Sequence, residues 1–290
     1  MKHHLYYVLF AFALFSCSQN APKQSEENAK QGFKQEQSDS LSLKIACLPT
    51  LDALPLWVAE DCGLFTREKV DVRLIPFKAH MDVDTALVGG SVEGALTDCF
   101  RAEFLEKKGL KLNRFAVTPL SWKLIANRQA RIKALRQLGD KMMAMTRHSA
   151  TDYLCDEVLR NVKTTADVFR VQINDVDLRL SMLINNEIDA LWLPEPQATK
   201  ALLLGHYQLA DSKLIKDSLG VFVFAQKNID NEFRQSQIES FAKAYDTACD
   251  TLNKRGIHAF SDLIMKHTGV HEKAAIDSLV NIHYYKHATH

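Results

Sequence analysis

The chain has 290 residues, of which 47% are hydrophobic and 24% are charged, enough for one large globular core or two smaller ones. Its 36 Lys and Arg residues almost balance its 35 Asp and Glu residues. No overall positive field therefore exists to attract nucleic acid or an anionic membrane, and the composition argues against a nucleic-acid partner.

The N-terminal residues predict an export signal that ends in a lipid-attachment site. After Lys2, residues 5–15 form an apolar run that is too short to cross a hydrocarbon core, which requires about 20 helical residues. The run ends in "LFSC", which resembles the lipobox of bacterial lipoproteins apart from its Phe. We therefore expect a signal peptide over residues 1–16 and a lipid anchor on Cys17, with simple secretion and a free thiol as the alternative.

A polar segment follows the predicted anchor. Up to Ser42 it contains one aromatic residue, Phe33, and no β-branched residue. Such a segment cannot bury enough apolar surface to become ordered. We expect residues 17–42 to be a disordered tether between the lipid and a folded domain.

The next part of the chain alternates strands with helices. Pro55 suits the first turn of a helix, where a missing N–H costs nothing, and Gly63 suits its end. This alternation predicts a mainly parallel, doubly wound α/β sheet. The predicted elements are a strand at 43–50, a helix at 55–65, a strand at 70–77, a helix at 81–90 and a strand at 92–96.

The same order of elements recurs about 96–97 residues later. "LVGGSVEGAL" (87–96) and "LINNEIDALW" (183–192) match most clearly. The recurrence predicts two lobes built on one plan. The second set is a strand at 141–146, a helix at 151–160, a strand at 168–173, a helix at 178–186 and a strand at 188–192.

The C-terminal part is predicted to complete the core. A strand at 220–226 precedes a long helix whose apolar stripe runs from Ile238 to Leu252 and indicates core packing. Two further helices are expected within 256–290. The histidines of this tail lack the spacing of a zinc site, so no metal and no cofactor are expected.

Five cysteines follow Cys17, and an odd number leaves at least one thiol free if disulfides form in an exported protein. Cys47 and Cys99 end predicted strands of the same lobe and are the candidates for a bridge. The alternative is that all are separate buried thiols.

Ligand binding is expected in four loops. Ligands of open α/β sheets bind beyond the carboxyl ends of the strands, and two such loops from each lobe describe a cleft between the lobes. The loops cover residues 49–55, 97–100, 146–152 and 192–196.

The two loops of the second lobe each allow two interpretations. The loop with Arg147 opens a helix and could hold an anion, but Ser149 and Asp152 have the spacing of a capping box and could satisfy the helix start themselves. In "WLPEP", Trp192 could stack on a planar ligand while Glu195 accepts its N–H groups. The structural alternative buries Trp192 in the core and leaves Glu195 as a first-turn carboxylate.

Four stretches in this order carry a family resemblance. The chain resembles the solute-binding proteins of ABC importers in the nitrate, sulfonate, taurine and thiamine-pyrimidine-precursor group (NMT1/THI5-like), over about residues 43–255. The stretches are "LPLWVAEDCGLFTREKVDVRLIPF", "TALVGGSVEGAL", "LGDKMMAMTRHSATDYL" and "NNEIDALWLPEPQATKAL".

The resemblance implies the type II periplasmic binding protein fold, in which two lobes close on a small solute and a membrane permease recognises the closed form. Lobe 1 would comprise residues 43–122 plus 222–290, and lobe 2 residues 123–221, with crossing segments near 120–126 and 218–224. We expect a monomer that is not an enzyme and that works with an ABC permease and its ATPase. The family motifs place the expected ligand contacts at Asp52, Trp57, Asp98, Ser149, Thr151, Trp192 and Glu195. Arg147 is added to them because it is the basic residue of the loop at 146–152.

The expected solute follows from the charges of these loops. Three carboxylates, on Asp52, Asp98 and Glu195, favour a neutral or partly cationic nitrogen heterocycle such as an aminopyrimidine precursor of thiamine. A sulfonate, taurine or nitrate is the alternative within the fold. Other classes are an enzyme of the pyrimidine-synthase or dehydratase type, or a surface lipoprotein without a transport role.

Overall fold

Ten strands form the framework of the computed structural model, which describes residues 41–215 and 218–288. They form two five-stranded sheets, one in each lobe. The strands are β1 (Leu43–Cys47), β2 (Val72–Pro76), β3 (Gly94–Asp98), β4 (Leu112–Thr118), β5 (Trp122–Ala126), β6 (Met142–Met145), β7 (Phe169–Gln172), β8 (Ala190–Pro194), β9 (Tyr207–Asp211) and β10 (Gly220–Ala225).

Helices cover both sheets, and the last ones of the chain belong to lobe 1. Short 3₁₀ turns occur at Leu51–Ala53, Leu135–Leu138, Ser212–Leu214 and Ile257–Phe260. The α-helices are α1 (Leu54–Asp61), α2 (Leu64–Arg67), α3 (His80–Gly89), α4 (Cys99–Lys107), α5 (Ala150–Leu159), α6 (Val176–Ile184), α7 (Gln197–Leu203), α8 (Gln226–Ile229), α9 (Glu232–Arg255), α10 (Ser261–Thr268) and α11 (Lys273–Asp277).

The two sheets share one strand order, which confirms the repeat that the sequence predicts. Their orders are β2-β1-β3-β10-β4 and β7-β6-β8-β5-β9. In each sheet the first three strands are parallel and the fourth is antiparallel to both of its neighbours. In each sheet two further strands complete the parallel three-strand unit, β10 and β4 in the first and β5 and β9 in the second, so the fold is the two-lobed α/β architecture that we expected.

The chain crosses between the lobes twice. It leaves the first sheet after Thr118 and enters the second at Trp122, and it re-enters the first sheet at Gly220. A Cβ on Gly220 would overlap the side chain of Thr118, so only glycine permits this close strand pairing. The expected boundaries are wrong by one and two residues: Trp122 lies in the second sheet, and residues 220–221 lie in the first.

Each sheet carries an apolar core on both of its faces, as a doubly wound sheet requires. In lobe 1 the stripe of α9 packs on the sheet through Phe241 and Tyr245, which contact the rings of Phe115 and Phe222. The interpretation of this stripe as core packing is confirmed. Each such buried ring contributes about 1.5–3 kcal/mol or more of transfer free energy.

Three strands escape the sequence-based prediction, namely β4, β5 and β9. They lie at the two crossings or at sheet edges, where alternation is short. The predicted C-terminal helices are present as α10 and α11. From there to residue 288, the last that the structure describes, the chain forms no helix or strand. It is held to lobe 1 by Tyr284, which is buried and donates its hydroxyl to the Leu51 carbonyl at 3.0 Å.

The predicted signal peptide (1–16), the lipidated Cys17 and almost all of the tether (17–42) lie outside the described residues. Within 41–215 and 218–288, no disulfide forms, so Cys47 and Cys99 are not joined. Cys99 does not end a strand but opens α4. In the same part of the chain, no helix is long and apolar enough to cross a membrane.

Candidate functional site

The carboxyl ends of the central strands of both sheets meet at the interface between the lobes, which we call the seam. Several hydrogen bonds cross it, and three of them join loops that the sequence singled out. The Leu51 N–H donates to the Glu195 carbonyl at 3.2 Å, Gln197 Nε2 donates to the Pro49 carbonyl at 2.9 Å, and the Ala150 N–H donates to Asp98 Oδ1 at 2.9 Å. The loops that the sequence singled out thus lie together.

Asp98 is the most tightly constrained residue of the seam. It is fully buried at the end of β3, and its Oδ1 accepts the N–H groups of Phe100 (3.0 Å) and Arg101 (2.9 Å) at the start of α4 as well as that of Ala150 at the start of α5. Burial raises the pKa of this carboxyl to about 7, although the three backbone N–H groups oppose that shift. Its Oδ2 is buried and has no hydrogen-bond partner among the described residues.

The N-terminus of α5 is occupied by groups of the protein itself. Ser149 Oγ accepts the Thr151 N–H at 3.1 Å and lies 2.7 Å from the Thr146 carbonyl, and Thr151 Oγ1 accepts the Thr146 N–H at 2.9 Å. Asp152 accepts the His148 N–H at 2.9 Å. These bonds, together with Asp98, satisfy the helix start, so Ser149 caps the helix as the second interpretation has it, although it accepts the N–H of Thr151 and Asp152 accepts that of His148. Ser149 and Thr151 are both buried.

The sequence analysis missed a buried arginine in the second lobe. The guanidinium of Arg179, on α6, donates to the Ile173 carbonyl (2.6 Å), the Trp192 carbonyl (3.0 Å) and Thr146 Oγ1 (2.6 Å). It thereby joins the three parallel strands of lobe 2, β7, β6 and β8, near their carboxyl ends. The sequence contains a signal for this residue, because Arg179 falls on the apolar face of α6 together with Val176. A charged side chain on a buried helix face requires hydrogen-bond or ionic partners.

A second missed group lies on the lobe 1 side of the seam. Arg101 donates from Nη1 to the Arg147 carbonyl across the seam at 2.9 Å and forms an ion pair with Asp84. His80 is buried between the two arginines, and burial together with the charges of Arg179 and Arg101 lowers its pKa to about 3. His80 is therefore neutral, and its buried Nδ1 has no hydrogen-bond partner among the described residues.

Asp52 lies inside lobe 1 rather than in the seam. The Thr50 hydroxyl donates to its Oδ1 at 2.5 Å and the Thr118 hydroxyl to its Oδ2 at 3.3 Å. Burial raises its pKa to about 6. Both oxygens are engaged within the lobe, which gives Asp52 a structural role, and its expected contact with a solute stays a prediction.

A small cavity opens along the seam and includes Trp57. Its volume is about 320 Å³, and its wall combines the end of β1, carboxylates from each lobe (Glu60 and Asp177) and the indole of Trp57. That indole is 2% exposed and stacks on the His267 ring at 4.7 Å between centroids. We call this space the seam cavity. It brings the Trp57 indole together with Glu60 and with Asp177, which forms an ion pair with Lys78 of the same wall at 3.8 Å, and the expected contact of Trp57 with a solute stays a prediction.

Trp192 and Glu195 follow the structural interpretation. Because β8 is a central strand that is covered on both faces, all five of its residues are buried, and Trp192 is 0% exposed within the lobe 2 core. This burial corresponds to the structural alternative and leaves no exposed face of the indole for the expected stacking on a solute. Glu195 forms an ion pair with Lys123 at 2.7 Å, and its other oxygen accepts the Thr199 N–H at 3.0 Å.

Arg147 does not line the seam cavity. It is exposed and lines a separate cavity together with residues of α3 and α4. Among the described residues, no group of three or more His, Cys, Asp or Glu side chains is placed to hold a metal ion.

With this geometry established, comparisons place the chain among known proteins. Residues 50–255, more than half of the chain, match the family model described as NMT1/THI5 like. The chain belongs to the NMT1/THI5-like family. A comparison of this family member with curated proteins finds no match.

Several solved structures that resemble this NMT1/THI5-like chain are binding proteins. An alkanesulfonate-binding protein of Xanthomonas axonopodis pv. citri, bound to MOPS, superimposes with a TM-score of 0.70 at 16% identity and covers 82% of each chain. A nitrate-binding protein of Synechocystis PCC 6803 gives 0.71 at 14%, covering 85% of this chain and 74% of that one. The ligand-binding component of an ABC-type import system from Staphylococcus aureus gives 0.71 at 17%, covering 85% and 86%. At such identities the likeness shows a shared fold, that of periplasmic binding proteins.

Proposed function

We propose that this NMT1/THI5-like protein is the solute-binding component of an ABC importer and that it captures a small solute in the seam between its lobes. The shared fold with binding proteins of import systems supports this class. The buried polar atoms at the seam support this location, since buried polar groups are almost always hydrogen-bonded and a solute is one means of satisfying them.

The solute that fits best carries N–H donors, as an aminopyrimidine does. The observation that supports this choice most is Asp98 Oδ2, a buried acceptor at the meeting point of both lobes that has no partner among the described residues. An amino or protonated ring nitrogen would supply its missing hydrogen bond and, if charged, would favour the ionised carboxylate. Glu60 and the Trp57 indole in the seam cavity are compatible with a flat, electron-poor ring, whereas Asp177 there is paired with Lys78 at 3.8 Å.

The start of α5 argues against a bare anion. A helix N-terminus is a common anion site, but here the carboxylate of Asp98 already accepts the Ala150 N–H. A sulfonate at this place would have to displace Asp98 and would meet its charge at close range.

One observation favours an anion as the second candidate. Arg179 is 2% exposed and forms no ion pair with a carboxylate among the described residues. A buried cation without a counter-charge is costly, and a sulfonate, taurine or nitrate near the seam would neutralise it. The lobe 2 carbonyls that Arg179 contacts reduce this cost, so we rank the anion below the nitrogen heterocycle.

Transport would follow from closure of the lobes. A solute bound to groups of both lobes stabilises the closed arrangement, because it binds that arrangement more tightly than the open one. A permease and ATPase would receive the solute, and a lipid on Cys17 would hold the exported protein at the membrane. An enzyme of the same fold or a surface protein without transport remains the competing class.

Thermal unfolding of the full chain in the presence of separate solutes tests the ligand class. We would compare 4-amino-2-methylpyrimidine, taurine, ethanesulfonate and nitrate at equal concentration, because a ligand at 100 times its dissociation constant stabilises the folded state by about 2.7 kcal/mol. We expect the aminopyrimidine to raise the unfolding temperature. Stabilisation by the anions alone would replace it with the second candidate, and no stabilisation by any of them would count against both.

A further inference from the structure

A second, larger cavity is lined mainly by two helices of lobe 1 and also by three residues of lobe 2. Its volume is about 920 Å³, and we call it the helix groove. Two helices line it with one face each, at the i, i+3, i+4, i+7 spacing that places side chains on a common stripe. The α3 face consists of Met81, Asp84, Thr85 and Val88, and the α4 face consists of Arg101, Phe104, Leu105 and Lys108.

The helix groove is strongly cationic. Lys108, Arg147 and Lys227 stand around it, and Asp84, which is its one lining carboxylate among the described residues, is already paired with Arg101. Positive and negative side chains almost balance over the whole chain, so this excess is local. Three cations that no described carboxylate of the groove neutralises favour an anionic occupant.

Apolar surface lies directly beside these cations. Met81 is 41% exposed and Val88 48% exposed on α3. Across from them the Phe104 ring carries Lys108 Nζ at 4.3 Å from its centroid and stacks on the His148 ring at 4.6 Å. Isolated exposed apolar residues are ordinary, but here they share one concave wall with a cationic rim.

The floor of the helix groove also has unused hydrogen-bonding capacity. Arg101 and Asp84 are 4% and 5% exposed, and Arg101 Nε and Asp84 Oδ1 are both buried without a hydrogen-bond partner among the described residues. Such atoms are uncommon in folded proteins. The Arg101 N–H provides a donor for an acidic oxygen, and Asp84 provides an acceptor for a hydroxyl or a water that accompanies it.

We propose that the helix groove is a second binding site, for a small anionic amphiphile with one acidic headgroup on a short alkyl or aryl body. Lys108, Arg147 and Lys227 would hold the headgroup, while Val88 and Phe104 would contact the apolar body. The volume lies within the range of about 300–1,000 Å³ that small-molecule sites occupy. The site is separate from Asp98 and does not depend on the proposed function of the seam.

The occupant of the helix groove touches both lobes. Arg147, His148 and Gln172 come from lobe 2, whereas α3 and α4 belong to lobe 1. A bound amphiphile therefore favours the arrangement in which the lobes are in contact, and it would act on the seam by stabilising the same closed form.

Isothermal titration of the full chain with octanoate tests the proposal, with 1-octylamine and acetate as controls for charge and for the apolar body. Lys108→Glu and Val88→Asp change one rim cation and one wall residue, both exposed. Their matched controls are Lys107→Glu, on the same helix but outside the groove, and Val117→Asp, which is equally exposed at 48%.

We expect saturable binding of octanoate and weaker or no binding of the two control compounds. Reversing one rim charge removes an attraction to the carboxylate of octanoate and adds a repulsion. Together these weaken the binding free energy by about 1.4 kcal/mol, which corresponds to about a tenfold loss of affinity. We expect Val88→Asp to weaken octanoate similarly and both matched controls to bind like wild type. The absence of saturable octanoate binding, equal binding of octylamine, or equal losses in Lys107→Glu and Lys108→Glu would each overturn the proposal. Aminopyrimidine binding should be unchanged in Lys108→Glu, which separates this test from that of the seam.

Discussion

Asp98→Asn is expected to stabilise the protein above neutral pH, because the wild-type carboxyl ionises in a buried place. Burial raises its pKa from 3.8 to about 7 in the folded state. Between these pH values the folded chain keeps a proton that the unfolded chain releases, so the free energy of unfolding falls as the pH rises. At 1.36 kcal/mol per pKa unit the loss is about 4 kcal/mol, and it is complete above pH 7.

The variant separates this ionisation from the other roles of the side chain. The introduced amide keeps an oxygen that can accept the N–H groups of Phe100, Arg101 and Ala150, but its N–H₂ replaces a buried oxygen and costs about 1–3 kcal/mol if it has no acceptor. That cost does not depend on pH. The effect of the substitution on the free energy of unfolding should therefore become more favourable by about 4 kcal/mol from pH 4 to pH 8.

Urea denaturation at both pH values measures this difference, with Asp82→Asn, an exposed carboxylate in the first turn of α3, as the matched control. We expect the control to lack the change. An Asp98→Asn effect that is the same at pH 4 and pH 8 would refute the reasoning. A change of opposite sign would mean that the three backbone N–H groups favour the carboxylate more than burial disfavours it.

Three further predictions concern other parts of the chain. Arg179→Lys should lower the free energy of unfolding by about 2–4 kcal/mol, because an ammonium cannot reach all three acceptors at the strand ends. Urea denaturation measures this loss, and a value below about 0.5 kcal/mol would contradict the prediction. A double-mutant cycle of Glu195→Gln and Lys123→Met should give a coupling of about 1 kcal/mol and leave solute affinity unchanged, whereas lost affinity in Glu195→Gln would return that carboxylate to the solute. Cys17→Ala should abolish labelling of the protein by radioactive palmitate in cells, and persistent labelling would exclude this residue as the lipid anchor.

The sequence predicts the fold well because its signals are local. Strand and helix periodicity, the stop at Gly63 and the repeat with one offset all depend on neighbouring residues, and the structure contains both three-strand units in the expected order. The pairing partners of β10 and β5 are not local. These strands pair with β3 and β8, which are distant in the sequence, and the hydrophobic pattern of a strand does not indicate its pairing partner.

The sequence predicts which loops meet at the candidate site, but it predicts less well which of their side chains face the space between the lobes. Loop positions follow from strand ends, so the four loops do meet at the seam. Whether a side chain faces the solute or the interior depends on what covers it. Trp192 is buried because helices cover both faces of β8, and Asp52 is satisfied by Thr118, which lies 66 residues away in the sequence. Arg179 reaches the seam from the middle of a helix, which loop-based reasoning does not consider.

Titration calorimetry of the full chain with 4-amino-2-methylpyrimidine, in wild type and in Asp98→Asn, tests the central claim most directly. We predict one solute per wild-type chain and at least about a tenfold weaker affinity in the variant, because a charge-assisted hydrogen bond to Asp98 Oδ2 contributes about 1.5–3 kcal/mol. The variant's stability, measured in the same samples, ensures that lost affinity does not reflect unfolding. Failure of the wild-type chain to bind the aminopyrimidine, or equal affinity in both proteins, would contradict the account.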